Sequence, residues 1–565
     1  MRPDSCRLSM PLLVLLILTL AVGPSLAGQA LLTVRIAGLG AMLDDLEVAA
    51  RALGRPFDRD EVLDSLAKLS PAVLLDQVDF DRPLVFVMPI EGMLLQDQGV
   101  VAVVPVRNAD LALAKLIEGV EGATTQGAIT ALPVTEEKTV YVQPAKGYLM
   151  AAFNRRIAED ARVEDLLDDG LSPPGNISAT IQIAPIAPMV QMGLMQVQAM
   201  AEEPSRRETQ GDDAAGTQAT IPSLATYGGL ISDALANVAT IKLSLELNGD
   251  DVLFHHWVVP KTGSSLEAFI SAQRATWPKI ARFADPSAPV VIVSSVTLTD
   301  AARAAFIRWT ATQTRGRMRP TQQADGDNPA PSPMALFQSF SRLGTQCSRG
   351  DGAASIHLDG SRVPRVAGVQ GLLDSEKCRD LPAALARAFG PSAESFTHGH
   401  LEAWQNSFPL SLAGPGAPDR QGGTAPSGEV PMAAGLLDDL LLTVLGDDAA
   451  QALKALADRI ESQKGPGVVP ADFAPLETGP GSFARVDLRA LSDDLQRAES
   501  KGPPPAMAVK LPPLPSGRIL GGVLIDHGRL DFRLVVPLHV IAALAENNAS
   551  AEADATPETS SPEGP

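Results

Sequence analysis

Serine and lysine recur in three short motifs whose order is that of enzymes that form an acyl intermediate on serine: Ser65-Leu66-Ala67-Lys68, Ser232-Asp233-Ala234 and Lys261-Thr262-Gly263. The middle motif lacks the amide residue that this chemistry uses. Ser65 lies inside a predicted helix with no strand before it, and Lys261 lies at a predicted strand-to-helix turn. We therefore expect both side chains to be structural.

A second chemical pattern is formed by His398, His400 and Glu402, which alternate along the chain. Alternate residues of a strand share one face, and two imidazoles with a carboxylate match a catalytic zinc site in ligand type. The same residues lie at a predicted hairpin turn, where polar side chains are common for reasons of turn geometry. Turn chemistry is the favoured interpretation, and a divalent metal site is the alternative. No cofactor is expected.

Cysteine usage predicts one disulfide. Of the three cysteines, Cys6 lies in the leader described next, which leaves Cys347 and Cys378. A single pair in an oxidising compartment favours a disulfide. Two buried free thiols are the alternative.

The chain opens with the features of a signal peptide, assigned to residues 1–27. Arg2 and Arg7 precede an apolar run from Pro11 to Val22, and Ser25-Leu26-Ala27 fits a signal-peptidase site. The run is short for a membrane span, and an uncleaved leader that serves as an anchor is the alternative. No later stretch is apolar enough to be a transmembrane segment, so the mature chain is expected in the periplasm or outside the cell.

Composition excludes several classes of partner. The formal net charge of −20 would repel phosphate backbones, so no nucleic-acid partner is expected. The same charge disfavours a polybasic membrane-binding patch, and an aromatic content of 4% disfavours recognition by stacking on bases or sugars. Abundant alanine, glycine and proline are typical of a GC-rich bacterial source.

The most regular structural signal is a hairpin that ends at Pro260. Apolar residues alternate with polar ones in its first strand, which predicts that the apolar side chains are buried and the polar ones lie in water. The apolar set is Ile241, Leu243, Leu245 and Leu247, and the polar set is Lys242, Ser244 and Glu246. Asn248-Gly249 favours the positive φ of a tight turn, and Ser264 with Glu267 predicts a capped helix after the hairpin.

A combination of strand, helix, hairpin and helix is predicted four times. The hairpins of the four copies end at Pro105, Pro260, Pro409 and Pro537. The second and fourth copies are the most regular. Their spacing is far longer than that of solenoid repeats, so the copies are interpreted as duplicated sub-domains.

Two copies per domain give repeat domain A at 28–286 and repeat domain B at 287–546, before a disordered acidic tail at 547–565. Polar insertions and one flexible connection interrupt these domains at 203–223, 312–333 and 413–431. The predicted fold class is α+β, with antiparallel sheets of repeated strand-helix-hairpin-helix units and helices packed on one face.

Met189, Met192 and Met195 recur at three-residue steps and give one predicted helix a methionine-rich face. Methionine is common both at adaptable apolar binding surfaces and in cores. A lipid or other apolar small molecule is therefore one candidate ligand, and a packed core helix is the alternative. The overall plan is similar to that of extracytoplasmic lipoprotein carriers and lipid-transfer proteins, an analogy of architecture without a shared motif.

The leading functional hypothesis is an exported, non-enzymatic binding or scaffold protein of the bacterial cell envelope. Its rival is an exported hydrolase whose active site is scattered through the fold. Three convergent titratable residues in one deep pocket would favour the hydrolase, and an apolar groove without them would favour binding. The sequence identifies no protein partner.

Overall fold

The structure is a computed structural model of the chain. It describes residues 30–69, 76–89, 99–135, 138–167, 175–192, 232, 235–274, 277–304, 345–358, 364–388, 393–410, 428–462, 467–474, 476, 479–500 and 515–543. The chain divides into two compact units: unit 1 runs to Met195 and includes Val238–Val258, and unit 2 comprises Gln196–Asn237 and the chain from Val259 onward.

Unit 1 contains ten described strands, the last of which extends two residues beyond it. They are β1 (Ala30–Ile36), β2 (Leu84–Pro89), β3 (Val101–Pro105), β4 (Thr124–Gln126), β5 (Ile129–Pro133), β6 (Thr139–Ala145), β7 (Tyr148–Ala152), β8 (Ile177–Gln182), β9 (Val238–Asn248) and β10 (Asp251–Pro260). Its named helices are α1 (Leu39–Ala52), α2 (Arg59–Leu69), α3 (Ala109–Gly119), α4 (Arg155–Asp160) and α5 (Val163–Leu167).

Unit 2 contains a second set of ten described strands. They are β11 (Val290–Ser295), β12 (Ser348–His357), β13 (Arg365–Leu372), β14 (Glu394–His398), β15 (Leu401–Leu410), β16 (Gly428–Leu437), β17 (Leu440–Leu445), β18 (Gly481–Asp487), β19 (Arg518–Asp526) and β20 (Arg529–Pro537). Its named helices are α6 (Ser265–Ser271), α7 (Leu381–Ala388), α8 (Ala449–Ser462) and α9 (Leu488–Ser500), with 3₁₀ turns at Lys279–Phe283 and Pro470–Phe473.

The two units have the same strand order. In unit 1 neighbouring strands follow the order β10-β9-β8-β1-β2-β3-β7-β6-β5-β4. In unit 2 the order is β20-β19-β18-β11-β12-β13-β17-β16-β15-β14, which is the first order with ten added to every strand number. Within these two orders, every pairing other than β9–β10 has a defined register, and all of these pairings are antiparallel. The arrangement that recurs is therefore a ten-strand order present twice.

In unit 1, helices pack on both faces of the sheet. Leu149 of β7 belongs to a core cluster with Leu116 of α3. Met150, the next residue, belongs to a different cluster with Ile157 of α4 and Val163 of α5. Because successive strand residues point to opposite faces, α3 lies on one side of the sheet and α4 and α5 lie on the other.

Unit 2 repeats this arrangement. Leu441 of β17 shares a core cluster with Leu381 and Leu385 of α7. Leu442, the next residue, is fully buried on the opposite face, and α8, with its buried Leu453, packs on β16 and β17. Strands β16 and β17 are therefore covered on both sides.

These two observations contradict the predicted fold class. The prediction placed helices on one face of sheets made from four strand-helix-hairpin-helix units, whereas large antiparallel sheets dominate the structure and carry helices on both faces. The sequence pattern did not reveal this because strands covered on both faces, such as β7 and β17, lack the apolar-polar alternation of a half-exposed strand.

Several local predictions are confirmed. Gly249 has a φ of 61° at the turn between β9 and β10, as Asn248-Gly249 requires. Ser264 Oγ accepts a hydrogen bond from the Glu267 backbone N–H at 3.1 Å, and the Glu267 carboxylate accepts one from the Gly263 N–H at 2.5 Å. These contacts satisfy donors at the start of α6.

The predicted disulfide between Cys347 and Cys378 is present, with the two Cα atoms 6.0 Å apart. Both cysteines lie at the core cluster under α7. The buried guanidinium of Arg303 braces the same segment, because it donates to the carbonyls of Thr345 and Ser348 on either side of Cys347.

The leader at 1–27, the insertions at 203–223 and 312–333 and the tail at 547–565 lie outside the described residues, as does most of the connection at 413–431. The domain boundaries at 28–286 and 287–546 stay predictions. Among the described helices, none combines the length and the apolar character that a membrane crossing requires.

Removal of the disulfide should destabilise the protein. The cysteines are 31 residues apart in the chain, and loop-closure entropy for a loop of that length corresponds to about 3–4 kcal/mol. Replacement of Cys347 and Cys378 by alanine should lower the unfolding free energy by that order in urea titrations, and reduction of the wild-type protein should have a similar effect. Two titratable thiols in the folded, air-purified protein would contradict the assignment.

Candidate functional site

The candidate site in unit 1 is a sheet surface made of aliphatic side chains. Register between β1, β8 and β9 aligns these side chains in three cross-strand rows, which we call the aliphatic face of unit 1: Leu32, Ile181 and Ile241; Val34, Ala179 and Leu243; Ile36, Ile177 and Leu245. Leu32 and Ile36 are buried, six members are half-buried, and Leu243 is 41% exposed.

The opposite face of the same strands is polar and buried. Thr33 pairs with Thr180, which pairs with Lys242, and Ser178 pairs with Ser244. Lys242 is only 7% exposed. The expectation that the apolar set of β9 is buried and Lys242 and Ser244 lie in water is wrong. Alternation shows that two faces differ, but tertiary packing decides which one is covered.

Asn176 holds the strands of this site in register. Its side-chain N–H₂ donates to Asp45 Oδ2 of α1 at 2.5 Å, and its Oδ1 accepts from the Leu247 N–H of β9 at 2.7 Å. Its backbone accepts from the Ala37 N–H at 2.8 Å and donates to the Leu245 carbonyl at 2.9 Å. One buried residue therefore connects β1, α1, β8 and β9.

The hairpin strand β10 extends the aliphatic face. A two-residue connection between Asn248 and Asp251 places Phe254 and His256 on the side of Leu245, and Phe254 is exposed. Burial lowers the pKa of His256, so its imidazole is neutral near pH 7. The described part of this face therefore presents no ionised group at neutral pH.

The predicted methionine helix begins beside this face. Ile186 packs, with Val34 and Ile181, against the cluster around Leu32 and Met88. Residues 187–192 then form helix, in which Met189 is half-buried and Met192 is exposed. Met195 lies outside the described residues. Two of the three predicted ligand-binding methionines thus directly follow a segment that contacts the aliphatic face.

A second cluster, in unit 2, collects titratable groups. Asp285 precedes β11, His357 ends β12 and Asp494 lies in α9. His357 Nε2 is 3.2 Å from Asp285 Oδ2, and His357 Nδ1 is 3.6 Å from Asp494 Oδ2. Asp285 Oδ1 also accepts from the Ser287 hydroxyl at 2.7 Å. The hydrogen bond from His357, followed by those from Ser287, lowers the pKa of Asp285 despite partial burial.

This arrangement leaves His357 without a free nitrogen for catalysis. In a serine-type hydrolase one imidazole nitrogen faces a carboxylate and the other faces the nucleophile. Here both nitrogens face carboxylates, and the Ser287 hydroxyl donates to Asp285. The three residues come from distant segments and no local motif marks them. The cluster joins the segment before β11, the end of β12 and α9.

The three predicted metal-ligating residues are not brought together. His398 pairs with Leu401 and Thr397 pairs with Glu402 across the turn, so His398 and Glu402 face opposite sides of the β14–β15 hairpin. His398 Nε2 lies 2.7 Å from Asp458 Oδ1, and the Glu402 carboxylate accepts from Arg379 at 3.3 Å. Among the described residues, no group of three or more His, Cys, Asp or Glu side chains is arranged so that it could hold a metal ion.

The serine and lysine of the acyl-transfer motifs make structural contacts. Ser65 Oγ donates to the Glu61 carbonyl one helical turn earlier, at 2.8 Å. Lys261 Nζ donates to the Leu235 carbonyl at 2.7 Å. Neither contact orients the group toward a reacting atom.

In comparisons by sequence and by structure, the chain has only weak similarity to known proteins. No family model matches the chain, and no curated protein matches it. One crystal form of a protein designated TP0453 is similar at 11% identity, over 42% of this chain and 81% of that chain, with a TM-score of 0.20. A second crystal form gives 8% identity, 43% and 78% coverage and the same TM-score of 0.20. A TM-score of 0.20 does not indicate a shared overall fold.

Substitution of Asn176 tests the register of the site. Asn176→Ala removes two side-chain hydrogen bonds of a buried group and should lower the unfolding free energy by about 1–3 kcal/mol. Asn176→Asp keeps the acceptor for Leu247 but sets a carboxylate against Asp45, so it should be more destabilising at pH 7 than at pH 5. Urea titration measures both. Unchanged midpoints would contradict the role of Asn176.

Acid titration tests the His357 cluster. The pKa of Asp285 is lower in the folded state than its ordinary value of 3.8, so its carboxylate stabilises the fold above that value and the contribution is lost as pH falls. The unfolding free energy should therefore decrease between about pH 5 and pH 2, and this decrease should be smaller in Asp285→Asn. Parallel pH profiles for the two proteins would contradict the pairing.

Proposed function

We propose that the protein is an exported, non-enzymatic binding protein of the bacterial cell envelope, and that the aliphatic face of unit 1 binds an apolar molecule such as a lipid. The observation that carries this proposal is the inverted burial of β9. Lys242 is buried, whereas its neighbour Leu243 is 41% exposed in the middle row of an aliphatic face.

The energetics of such a surface favour an apolar ligand. Each Å² of apolar surface that a ligand covers contributes about 25 cal/mol. The neutral His256 adds no charge that a hydrocarbon would have to desolvate. The adjacent Met189 and Met192 offer side chains that adapt to ligands of different shape.

Two features support export. The sequence opens with the pattern of a signal peptide at 1–27. The disulfide between Cys347 and Cys378 is typical of an oxidising compartment. The cluster of Asp285, His357 and Asp494 disfavours the hydrolase alternative, because neither imidazole nitrogen of His357 is directed at a nucleophile.

Binding of a fluorescent fatty acid by the mature chain tests the proposal. Leu243→Glu places a carboxylate in the middle row and should weaken binding about tenfold or more, because an ionised group in an apolar contact costs at least about 1.4 kcal/mol. Leu111→Glu is the matched control, since Leu111 is 47% exposed on α3 and outside the aliphatic face. It should leave binding unchanged.

Native mass spectrometry of gently purified protein gives an independent readout. Wild type should carry an apolar passenger that Leu243→Glu loses and Leu111→Glu retains. A clean apo mass together with no fatty-acid binding by folded wild type would refute the proposal. Equal weakening by both substitutions would refute the assignment of the face.

A further inference from the structure

We infer that unit 2 carries a second apolar site, on the strands that occupy the same places in its sheet, and that its ligand is a single hydrocarbon chain. This inference rests on the proposed function, because it takes the ligand class from unit 1. The strands β11, β18 and β19 of unit 2 correspond in order to β1, β8 and β9 of unit 1.

The side chains of the second site also align in rows. Val290 pairs with Val486, which pairs with Ile519, and Ile292 pairs with Ala484, which pairs with Gly521 and then Leu534. A third row ends in Val523 and Phe532. We call the eight apolar members of these rows, with Gly521, the aliphatic face of unit 2: the aliphatic Val290, Ile292, Ala484, Val486, Ile519, Val523 and Leu534, and the aromatic Phe532. Leu534 is 41% exposed, and Ile292 is similarly exposed.

As in unit 1, the aliphatic face is the less buried side of its strands. Val291 and Val293 of β11, and Phe483 and Arg485 of β18, all point to the other side and are buried. The only polar side chains in the three rows are Ser294 and Ser482. Ser482 Oγ donates to Ser294 Oγ at 3.1 Å, and the Ser294 hydroxyl donates to the Gly350 carbonyl at 3.2 Å.

These contacts define the ligand. The two hydroxyls are satisfied by neighbouring groups, so this face has no polar group directed at a headgroup and no charge to pair with an ion. An extended protein segment would bring backbone polar groups that need partners, and the face supplies none. A hydrocarbon chain needs only apolar contact.

Gly521 lowers the surface of the aliphatic face of unit 2 at its centre, because glycine has no side chain. It pairs with Ala484 of β18 as Leu243 pairs with Ala179 of β8. A methyl group built on Gly521 would come no closer than 4.0 Å to the Arg533 carbonyl and the Leu534 side chain. With Ala484 beside it and Ile519 and Val523 on either side along β19, Gly521 leaves a depression between larger side chains, which Ile292 and Leu534 bound at the two ends of its row.

The experiment counts binding sites on the mature full-length chain with dansyl-labelled undecanoic acid, by titration and by native mass spectrometry. Wild type should bind two molecules. Gly521→Leu fills the depression beside Ala484, so this variant should bind one molecule, on unit 1. Leu243→Glu should bind one molecule, on unit 2, and the double variant should bind none. Gly479→Leu is the matched control, because Gly479 lies outside the rows and has no neighbouring atom within 4 Å of an added methyl group. It should bind two.

Each outcome decides a different question. One molecule on wild type, lost in Leu243→Glu and retained in Gly521→Leu, would overturn the second site and leave the proposed function standing. No binding by folded wild type would overturn the proposed function itself. If Gly521→Leu unfolds, Leu534→Glu is used in its place, because Leu534 is an exposed member of the same row. This variant should also bind one molecule. The contrary result is the mass of a dimer for wild type and the mass of a monomer for Leu534→Glu. That result would identify a second copy of the chain as the occupant of the face and overturn the hydrocarbon assignment.

Discussion

Successive side chains of a β-strand point to opposite faces, so β9 cannot bury Lys242 and Leu243 on the same side. In unit 1 the covered side carries Lys242, Thr180 and Ser244, which leaves Leu243 at the surface. A buried polar side is stable only where its groups have partners. Asn176, which bonds through its backbone and through its side-chain amide to four other residues, is one such partnership. The proposed binding face is the other side of this arrangement.

The two units have the same strand order but cover their sheets with different chemistry. The buried side of β18 in unit 2 combines Phe483 with Arg485, whose guanidinium donates to the Pro286 carbonyl at 2.6 Å. Burial lowers the pKa of Arg485, although Asp472 and other carboxylates act in the opposite direction. What the units share is an aliphatic side that is only partly covered.

Ionic contacts in unit 2 lie where separate segments meet. His357 joins the segment that leads into β11 to helix α9, and Arg303 joins the start of a helical segment to the chain around Cys347. Buried or half-buried charges need such partners because desolvation penalises them strongly. These residues therefore connect segments that are distant in the chain, as the disulfide does.

Much of the local structure could be predicted from the sequence. The turn at Gly249, the cap at Ser264 and the disulfide between Cys347 and Cys378 depend on a few neighbouring residues or on a single possible pairing, and all three are present. The alternation of apolar and polar residues also predicted that β9 and β10 are strands. The four-copy repeat with helices on one face was wrong, because the same local pattern occurs in strands that take different places in the sheet.

The sequence by itself determined the hairpin of β9 and β10, its turn at Gly249 and the cap at Ser264, and that β9 has one aliphatic and one polar side. Only the tertiary structure decided which side is covered, that helices pack on both faces, and that Asp285, His357 and Asp494 meet. The physical reason is that alternation, turn conformation and capping are set by contacts within a few residues. Burial of a face is set by pairings between segments far apart in the chain, such as Ala37 with Asn176 and His357 with Asp285.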